Sequence, residues 1–469
     1  MKTDTIAAIA TPRGHGGIGI IRISGPKALA IAQTLFRAKH NDIRIGNMAS
    51  SINAAQSHRL IYGTIIDPHT QNILDEIMAV YMPAPRSYTC EDVVEFQTHG
   101  GPVILDTVFR LICLQGARPA QPGEFTQRAF LNGRIDLTQA EAVADMIAAS
   151  NEHATNMAAQ HLSGKLKTTL RMLIEALTEL LADVEAAIEF PDDIGEPYDR
   201  SYLLTHLTQR LLQPVDQLLQ TFTIGRIVRE GLRLAIVGRP NVGKSSLLNA
   251  LIESNRAIVT ELPGTTRDTI EAPATVDGFP IIFIDTAGLH QSKDPVESIG
   301  MQKTEETIQT ADLVLLVVES NHLDHPQDLS IFRQIGQKPV HLVINKIDLV
   351  IDPDQLQVRP QFSALTVSSI SALHGTGLAQ LKTTIRQLCL DQPAPTDESV
   401  IITNARHYAT LQQILECLQN AQLGLSQGVP EDIVAIDLHQ ALAFLQRLVG
   451  DSFDQDLLDT IFKRFCIGK

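Results

Sequence analysis

Gly238-Arg239-Pro240-Asn241-Val242-Gly243-Lys244-Ser245-Ser246 decides how the centre of this chain folds. The stretch fits G-x-x-x-x-G-K-[ST], and an apolar run from Leu232 to Val237 leads into it as a buried strand. Leu247, Leu248, Ala250, Leu251 and Ile252 then continue at helical spacing. Strand, glycine loop and helix start together form a phosphate cradle. The glycines let backbone N–H groups converge on an anion, and the helix N-terminus adds its dipole. Lys244 is placed to reach the β- and γ-phosphates of a nucleoside triphosphate as a catalytic group, and the Ser245 hydroxyl to ligate magnesium. A purely structural glycine turn is the competing reading, and the flanking strand and helix argue against it.

Outward from the loop, four further segments say which nucleotide is bound and how it is cut. Asn345-Lys346-Ile347-Asp348 follows the apolar run Val340 to Ile344. An aspartate at a strand end can accept from both N1–H and the exocyclic amine of guanine, whereas adenine would leave the carboxylate unpaired. Ser371-Ala372-Leu373, after the strand Thr366 to Ser369, supplies a backbone N–H for the guanine oxygen. These residues favour GTP over ATP. Asp285-Thr286-Ala287-Gly288 follows the strand Ile281 to Ile284, its aspartate holding magnesium through water and its glycine letting the backbone approach the γ-phosphate. Thr260-Glu261-Leu262 leads into Pro263-Gly264-Thr265-Thr266, which reads either as a first switch whose Thr266 completes the magnesium shell or as a polar turn.

Two residues depart from the Ras-like pattern. Leu289 stands where Ras-type enzymes carry a water-orienting glutamine, so another group must do that work. Glu297 is the nearest suitable carboxylate, or else an exposed helix-start glutamate. Asn241 lies inside the phosphate loop. It either supports the turn or offers an amide oxygen to a monovalent cation, potassium, that would offset transition-state charge.

Between about 229 and 390, strands alternate with helices around the loop, the pattern of a largely parallel α/β sheet. Residues 1–120 read as an α+β domain. Strands are expected at Thr5 to Ala10, Ile18 to Ile23, Arg59 to Ile66, Ile77 to Tyr81 and Asp92 to Phe96, with helices opened by Pro26 and Pro102. Residues 121–228 and 391–469 are helical, with helices from Leu137, over Leu162 to Ile188, after a break at Phe190 to Asp193 from Tyr202 to Phe222, and later over His407 to Leu425, Glu431 to Val449 and Asp454 to Phe465. The α/β unit therefore reads as inserted into a helical domain. A length of 469 residues accommodates such a multidomain plan, and a formal net charge of −15 leaves any nucleic-acid contact to a local patch. Scattered cysteines without a C-x-x-C pair suit a reducing cytoplasm, and no apolar stretch approaches a membrane span.

The motifs around the loop resemble those of translation-factor-like GTPases. Beyond them, Thr5-Ile6-Ala7-Ala8-Ile9-Ala10-Thr11-Pro12, Gly16-Gly17-Ile18-Gly19-Ile20-Ile21-Arg22-Ile23-Ser24-Gly25, Arg118-Pro119, Pro122-Gly123-Glu124-Phe125 and the terminal Phe465-Cys466-Ile467-Gly468-Lys469 resemble the bacterial and organellar tRNA-modification GTPase family, MnmE or TrmE. The resemblance covers essentially the whole chain. It implies a homodimer built through an N-terminal domain similar to tetrahydrofolate-binding folds, taking a 5-formyl- or 5,10-methylene-tetrahydrofolate. It also implies a flavoprotein partner, MnmG (GidA), in a heterotetramer or larger complex that modifies carbon 5 of the wobble uridine in tRNA. Carried over, Asn241 with carbonyls of Thr260, Leu262 and Thr265 would hold potassium, Ser245 and Thr266 magnesium, and Glu297 the attacking water. Arg22, Glu95, Arg134 and Lys469 would line the folate site, Arg134 standing where the family usually has lysine. Cys466 is a candidate nucleophile or simply a buried tail residue. A regulatory GTPase of ribosome assembly, binding RNA without modifying it, is the alternative that the central motifs alone leave open.

Overall fold

The computed structural model describes residues 4–39, 52, 57–189, 200–253, 272–276, 279–284, 307–351, 360–389 and 400–469. The chain divides into two compact units. One holds 1–147, 158–191 and 431–469, the other 148–157 and 192–430. Helical segments on both sides of the α/β stretch are thus shared between the units.

The first unit contains a seven-stranded sheet, ordered β3-β4-β5-β6-β2-β1-β7. Its strands are β1 Ile6–Ile9, β2 Gly16–Ser24, β3 Phe36–Ala38, β4 Ile61–Ile66, β5 Ile73–Met82, β6 Val93–Gly100 and β7 Arg118–Pro119. All neighbours pair antiparallel except β1 with β7. Alternation sets its faces: Ile77, Ala79 and Tyr81 of β5 are buried, as are Ile21 and Ile23 of β2. The helix Ala28–Leu35 lays Ala28, Ile31, Ala32 and Leu35 on that core, and Pro102–Leu114 adds Leu105, Val108, Leu111 and Ile112. Pro102 opens its helix as expected, whereas Pro26 sits in the turn before Lys27, the N-cap. In the same unit, Lys165–Glu189 packs on Glu431–Val449 through leucines three and four apart. Gly164, at φ +93°, ends the preceding helix Glu152–Leu162.

The second unit carries a six-stranded sheet, ordered β13-β12-β11-β8-β10-β9. Here β8 is Leu232–Val237, β9 Ala272–Val276, β10 Phe279–Ile284, β11 Leu313–Glu319, β12 Val340–Asn345 and β13 Thr366–Ser369. All pairs are parallel except the edge pair of β9 with β10. In β11, Leu313, Leu315 and Val317 face one core and Val314, Leu316 and Val318 the other, so both faces are covered and the strand reads as an unbroken apolar run. Helix Lys244–Glu253 buries Leu247, Leu248 and Leu251 on the first face, and Pro326–Ile335 lies beside β11. After β8 the chain supplies β9 and β10 on one side of it and then β11 on the other, which places the end of β8 at the switch point where ligands of open α/β sheets bind. Further helices are Arg200–Leu207, Gln213–Gln220, Phe222–Glu230 and Ala405–Gln427. The helix expected over Tyr202 to Phe222 is interrupted by a wide turn at Thr208–Leu212, next to Pro214, which has no N–H to continue the ladder.

Candidate functional site

Backbone geometry makes the phosphate loop. Gly238 has φ +152°, Asn241 +64° and Gly243 +96°. A β-carbon on Gly238 would lie 2.4 Å from the Val317 carbonyl oxygen, and one on Gly243 2.2 Å from Asn345 Nδ2. Only glycine lets the loop approach β11 and β12 this closely. Lys244 opens the following helix and donates from Nζ to the carbonyls of Gly238 and Arg239, each at 2.8 Å. Two of its three N–H groups are thereby spent on the loop, and the third remains for an anion. Burial pushes the Lys244 ammonium below its ordinary pKa, and a phosphate beside it would act in the opposite sense, favouring the charged form.

The base-reading segments are hydrogen-bonded to that loop. Asn345 ends β12 almost wholly buried; its Nδ2 donates to the Val242 carbonyl at 2.8 Å and its Oδ1 accepts from Ala372 N–H at 3.0 Å. One side chain therefore joins the phosphate loop to the segment beyond β13. Lys346 follows in the left-handed region, φ +63°, which turns Asp348 back toward Ser371. The Ser371 hydroxyl donates to Asp348 Oδ1 at 2.5 Å and holds the carboxyl below its usual range, ionised and ready to accept from a base. Ile347 lies in the same turn, and Leu373 is exposed at the loop rim. Lys346 Nζ reaches Glu319 at 2.9 Å, and Ser320 Oγ donates to the Lys346 carbonyl at 2.7 Å.

Glu319 and Ser320 belong to no motif legible in the sequence, although their place at the C-terminal end of β11 is where such residues occur. Ser245 and Ser246 follow Lys244 in the first turn of the helix. Thr260, Glu261, Leu262, Pro263, Gly264, Thr265, Thr266, Asp285, Thr286, Ala287, Gly288 and Glu297 lie outside the described residues, as do Phe190 to Asp193.

The five remaining candidate site residues lie in the first unit. Arg22 and Glu95 are register partners on β2 and β6, and their side chains meet at 2.7 Å. Arg22 also lies over the rings of Tyr88 and Phe125, 5.5 and 5.6 Å from their centroids. Arg134 covers Tyr88 at 4.8 Å and donates to its carbonyl at 2.7 Å. The chain end arrives here too: Arg22 Nη1 donates to the Gly468 carbonyl at 3.4 Å, and Phe125 N–H to that of Lys469 at 3.2 Å. Arg22, Glu95, Arg134 and the Lys469 backbone thus gather round two aromatic rings, with Cys466 exposed on the same tail. Tyr88, in a loop, and Phe125, in the helix Glu124–Leu131, complete the cluster; an aromatic residue carries no local signal of what it stacks on. No helix among the described residues is long and apolar enough to cross a membrane.

Comparison with known proteins extends the pattern over the whole chain. Residues 5–134 match the model of the GTP-binding protein TrmE N-terminus, and residues 137–466 that of the MnmE helical domain, which encloses the α/β stretch. The chain is 41% identical over 467 residues to the tRNA modification GTPase MnmE of Lactiplantibacillus plantarum, covering 99% of this chain and 98% of the other. It is 44% identical over 473 residues to that of Moorella thermoacetica, covering 100% of both. Among solved structures, Aquifex aeolicus Era bound to GDP·AlF4− is 27% identical over 39% of this chain and 66% of its own, with a TM-score of 0.28.

Proposed function

From its place in the MnmE family of tRNA modification GTPases, to which this chain belongs, we propose a potassium-stimulated GTP hydrolase that works with a flavoprotein partner. The work driven is (carboxymethyl)aminomethyl modification at carbon 5 of the wobble uridine in tRNA. The observation that carries the GTPase half is Asn345, which bonds the phosphate loop to the guanine seat, so that base recognition and phosphate placement are one assembly.

In this reading Asp348 selects guanine and Lys244 keeps one N–H for the β- and γ-phosphates. Ser245 and Thr266 hold magnesium, which supplies charge neutralisation on the phosphates. Asn241, with carbonyls of Thr260, Leu262 and Thr265, holds potassium in the place an arginine finger takes elsewhere. Glu297 orients the attacking water. Arg22, Glu95, Arg134 and Lys469 receive a tetrahydrofolate derivative, which supplies the one-carbon unit. Tyr88 and Phe125 offer flat surfaces to such a ring, and Glu95 a carboxylate to its donor edge. The chain acts as a cytoplasmic homodimer joined through the N-terminal domain, in complex with the flavoprotein.

The deciding experiment has three arms. GTP turnover measured in potassium and in sodium should be faster in potassium; equal rates remove the cation role. Glu297→Ala should lower turnover with GTP affinity nearly unchanged, because its contribution belongs to the transition state. Mass spectrometry of tRNA nucleosides from a deletion strain should show the wobble uridine unmodified. Intact wobble modification would favour a GTPase that binds RNA without altering it.

A further inference from the structure

The phosphate loop is anchored at more points than its motif accounts for. On the helix side Asn345 holds the Val242 carbonyl. On the strand side Arg239 Nε donates to Asp328 Oδ1 at 2.9 Å. Asp328 lies in the first turn of Pro326–Ile335 and is wholly buried, while the Arg239 side chain is 11% exposed. A buried carboxylate persists where a partner offsets its desolvation, and here that partner comes from the loop itself. The contact is monodentate, through Nε alone: Arg239 Nη2 and Asp328 Oδ2 are buried with no hydrogen-bond partner, so a single bond carries the pair.

That bond bears on the catalytic lysine through the main chain. The Arg239 carbonyl accepts from Lys244 Nζ at 2.8 Å, beside the Gly238 carbonyl at the same distance. Two accepted bonds fix the direction of the remaining N–H on a tetrahedral ammonium. The residue whose side chain is tied to the helix therefore offers its backbone to the group that must face the phosphates. Glu319 and Ser320, at the other end of the same β11-to-helix connection, hold Lys346 of the base reader. One connection thus braces both halves of the nucleotide site.

We propose that Arg239 and Asp328 are a positioning pair which, through the Arg239 carbonyl, sets where the Lys244 ammonium points. The proposal rests on the GTP-binding reading above and deepens it.

The test is the release rate of a fluorescent GDP analogue from the full chain with magnesium present. Asp328→Asn and Arg239→Met are each measured with Lys244 intact and in a Lys244→Met background. With Lys244 intact, either change should speed release about tenfold, as expected for losing a hydrogen bond between charged groups. In the Lys244→Met background the same changes should alter release less than twofold, because the group they aim is gone. Arg239→Lys, which keeps a charge opposite Asp328, should fall between. Equal acceleration in both backgrounds overturns the proposal, since the pair would then support the loop without acting through Lys244; so does wild-type release with Lys244 intact. A wild-type chain that fails to bind the analogue overturns the GTP reading as well. Should Asp328→Asn not fold, as judged by thermal unfolding without nucleotide, the two Arg239 variants read the same cycle.

Discussion

Asn345→Ala is the sharpest single perturbation of the nucleotide site. The wild-type side chain is 2% exposed and makes two hydrogen bonds, to the Val242 carbonyl and from the Ala372 N–H. Alanine removes both and leaves a buried carbonyl unpaired, at a cost of about 1–3 kcal/mol, plus about 1 kcal/mol for the half-buried N–H. The sum, about 2–4 kcal/mol, corresponds to roughly 30- to 700-fold in an equilibrium constant. Both bonds order loops that must be ordered to hold GDP, so the loss should appear chiefly as weaker binding. Whatever part falls on the unliganded protein should appear as a lower melting temperature. Equilibrium titration with fluorescent GDP at fixed magnesium, paired with melting curves, measures the two parts. Asn345→Asp sharpens the comparison: it keeps the acceptor for Ala372 but sets an oxygen against the Val242 carbonyl, and so should bind as poorly as alanine. Affinity within threefold of wild type for Asn345→Ala, with an unchanged melting temperature, would refute the claim that this side chain wires the site together.

Three further outcomes follow from particular contacts. Asp348→Asn replaces an acceptor with a donor opposite the exocyclic amine of guanine, so competition binding should show a shift from guanine toward xanthine nucleotides; retained guanine preference contradicts the assignment. His341 is buried between Thr366 and Ser368 on β12 and β13, and burial pushes its pKa down from 6.5 to about 4. The folded state then refuses a proton that the unfolded chain binds below pH 6.5, so up to about 3 kcal/mol of stability is lost as pH falls from 6.5 toward 4. The melting temperature of wild type should accordingly fall relative to that of His341→Leu on acidification, and a difference constant with pH counts against it. Gly225→Ala should destabilise the second unit by about 1–3 kcal/mol despite alanine's better helix propensity. The added β-carbon would sit 2.1 Å from the Ile402 carbonyl oxygen, so a raised melting temperature would contradict that close approach.

The nucleotide site was legible because its parts are local. A loop between a strand and a helix, and a reader at a strand end, each declare themselves within about ten residues. β11 could likewise be read, since an apolar run with no polar alternation means both faces are covered. β3 and β7 could not be: with three and two residues they have no periodicity, and the sheet recruits them only through pairing with β4 and β1. The wide turn at Thr208–Leu212 was illegible for a different reason. Pro214 announces a disturbance, but whether the helix breaks, bends or widens is decided by what it packs on. Asp328 is the clearest case. An aspartate in the first turn after a proline reads as a solvated helix start, and only the arrival of Arg239 from 89 residues away makes it a buried partner.

The cluster around Arg22 in the first unit is beyond the reach of local pattern for the same reason. Arg118 bonds Asp4 and Glu124, and Arg128 bonds Asp4, Glu91 and Glu124. Burial opposes the Glu124 charge, yet Arg118, the Gln121 N–H and Arg128 outweigh it and hold the carboxyl below its usual range. Such a cluster adds little net stability, because desolvation cancels much of the attraction. What it adds is geometry: it fixes the helix Glu124–Leu131 against β1 and β7, and so fixes Phe125. Phe125 in turn presents its ring to Arg22 and its N–H to the Lys469 carbonyl. The chain end is therefore seated by an ion network whose members are spread from residue 4 to residue 128, and no window of sequence contains enough of them to show it. Gly468 completes the fit, since a β-carbon there would lie 2.8 Å from the Ile9 carbonyl oxygen; a glycine is required by the strand it rests on, which explains its presence in the tail without any appeal to chemistry at Cys466.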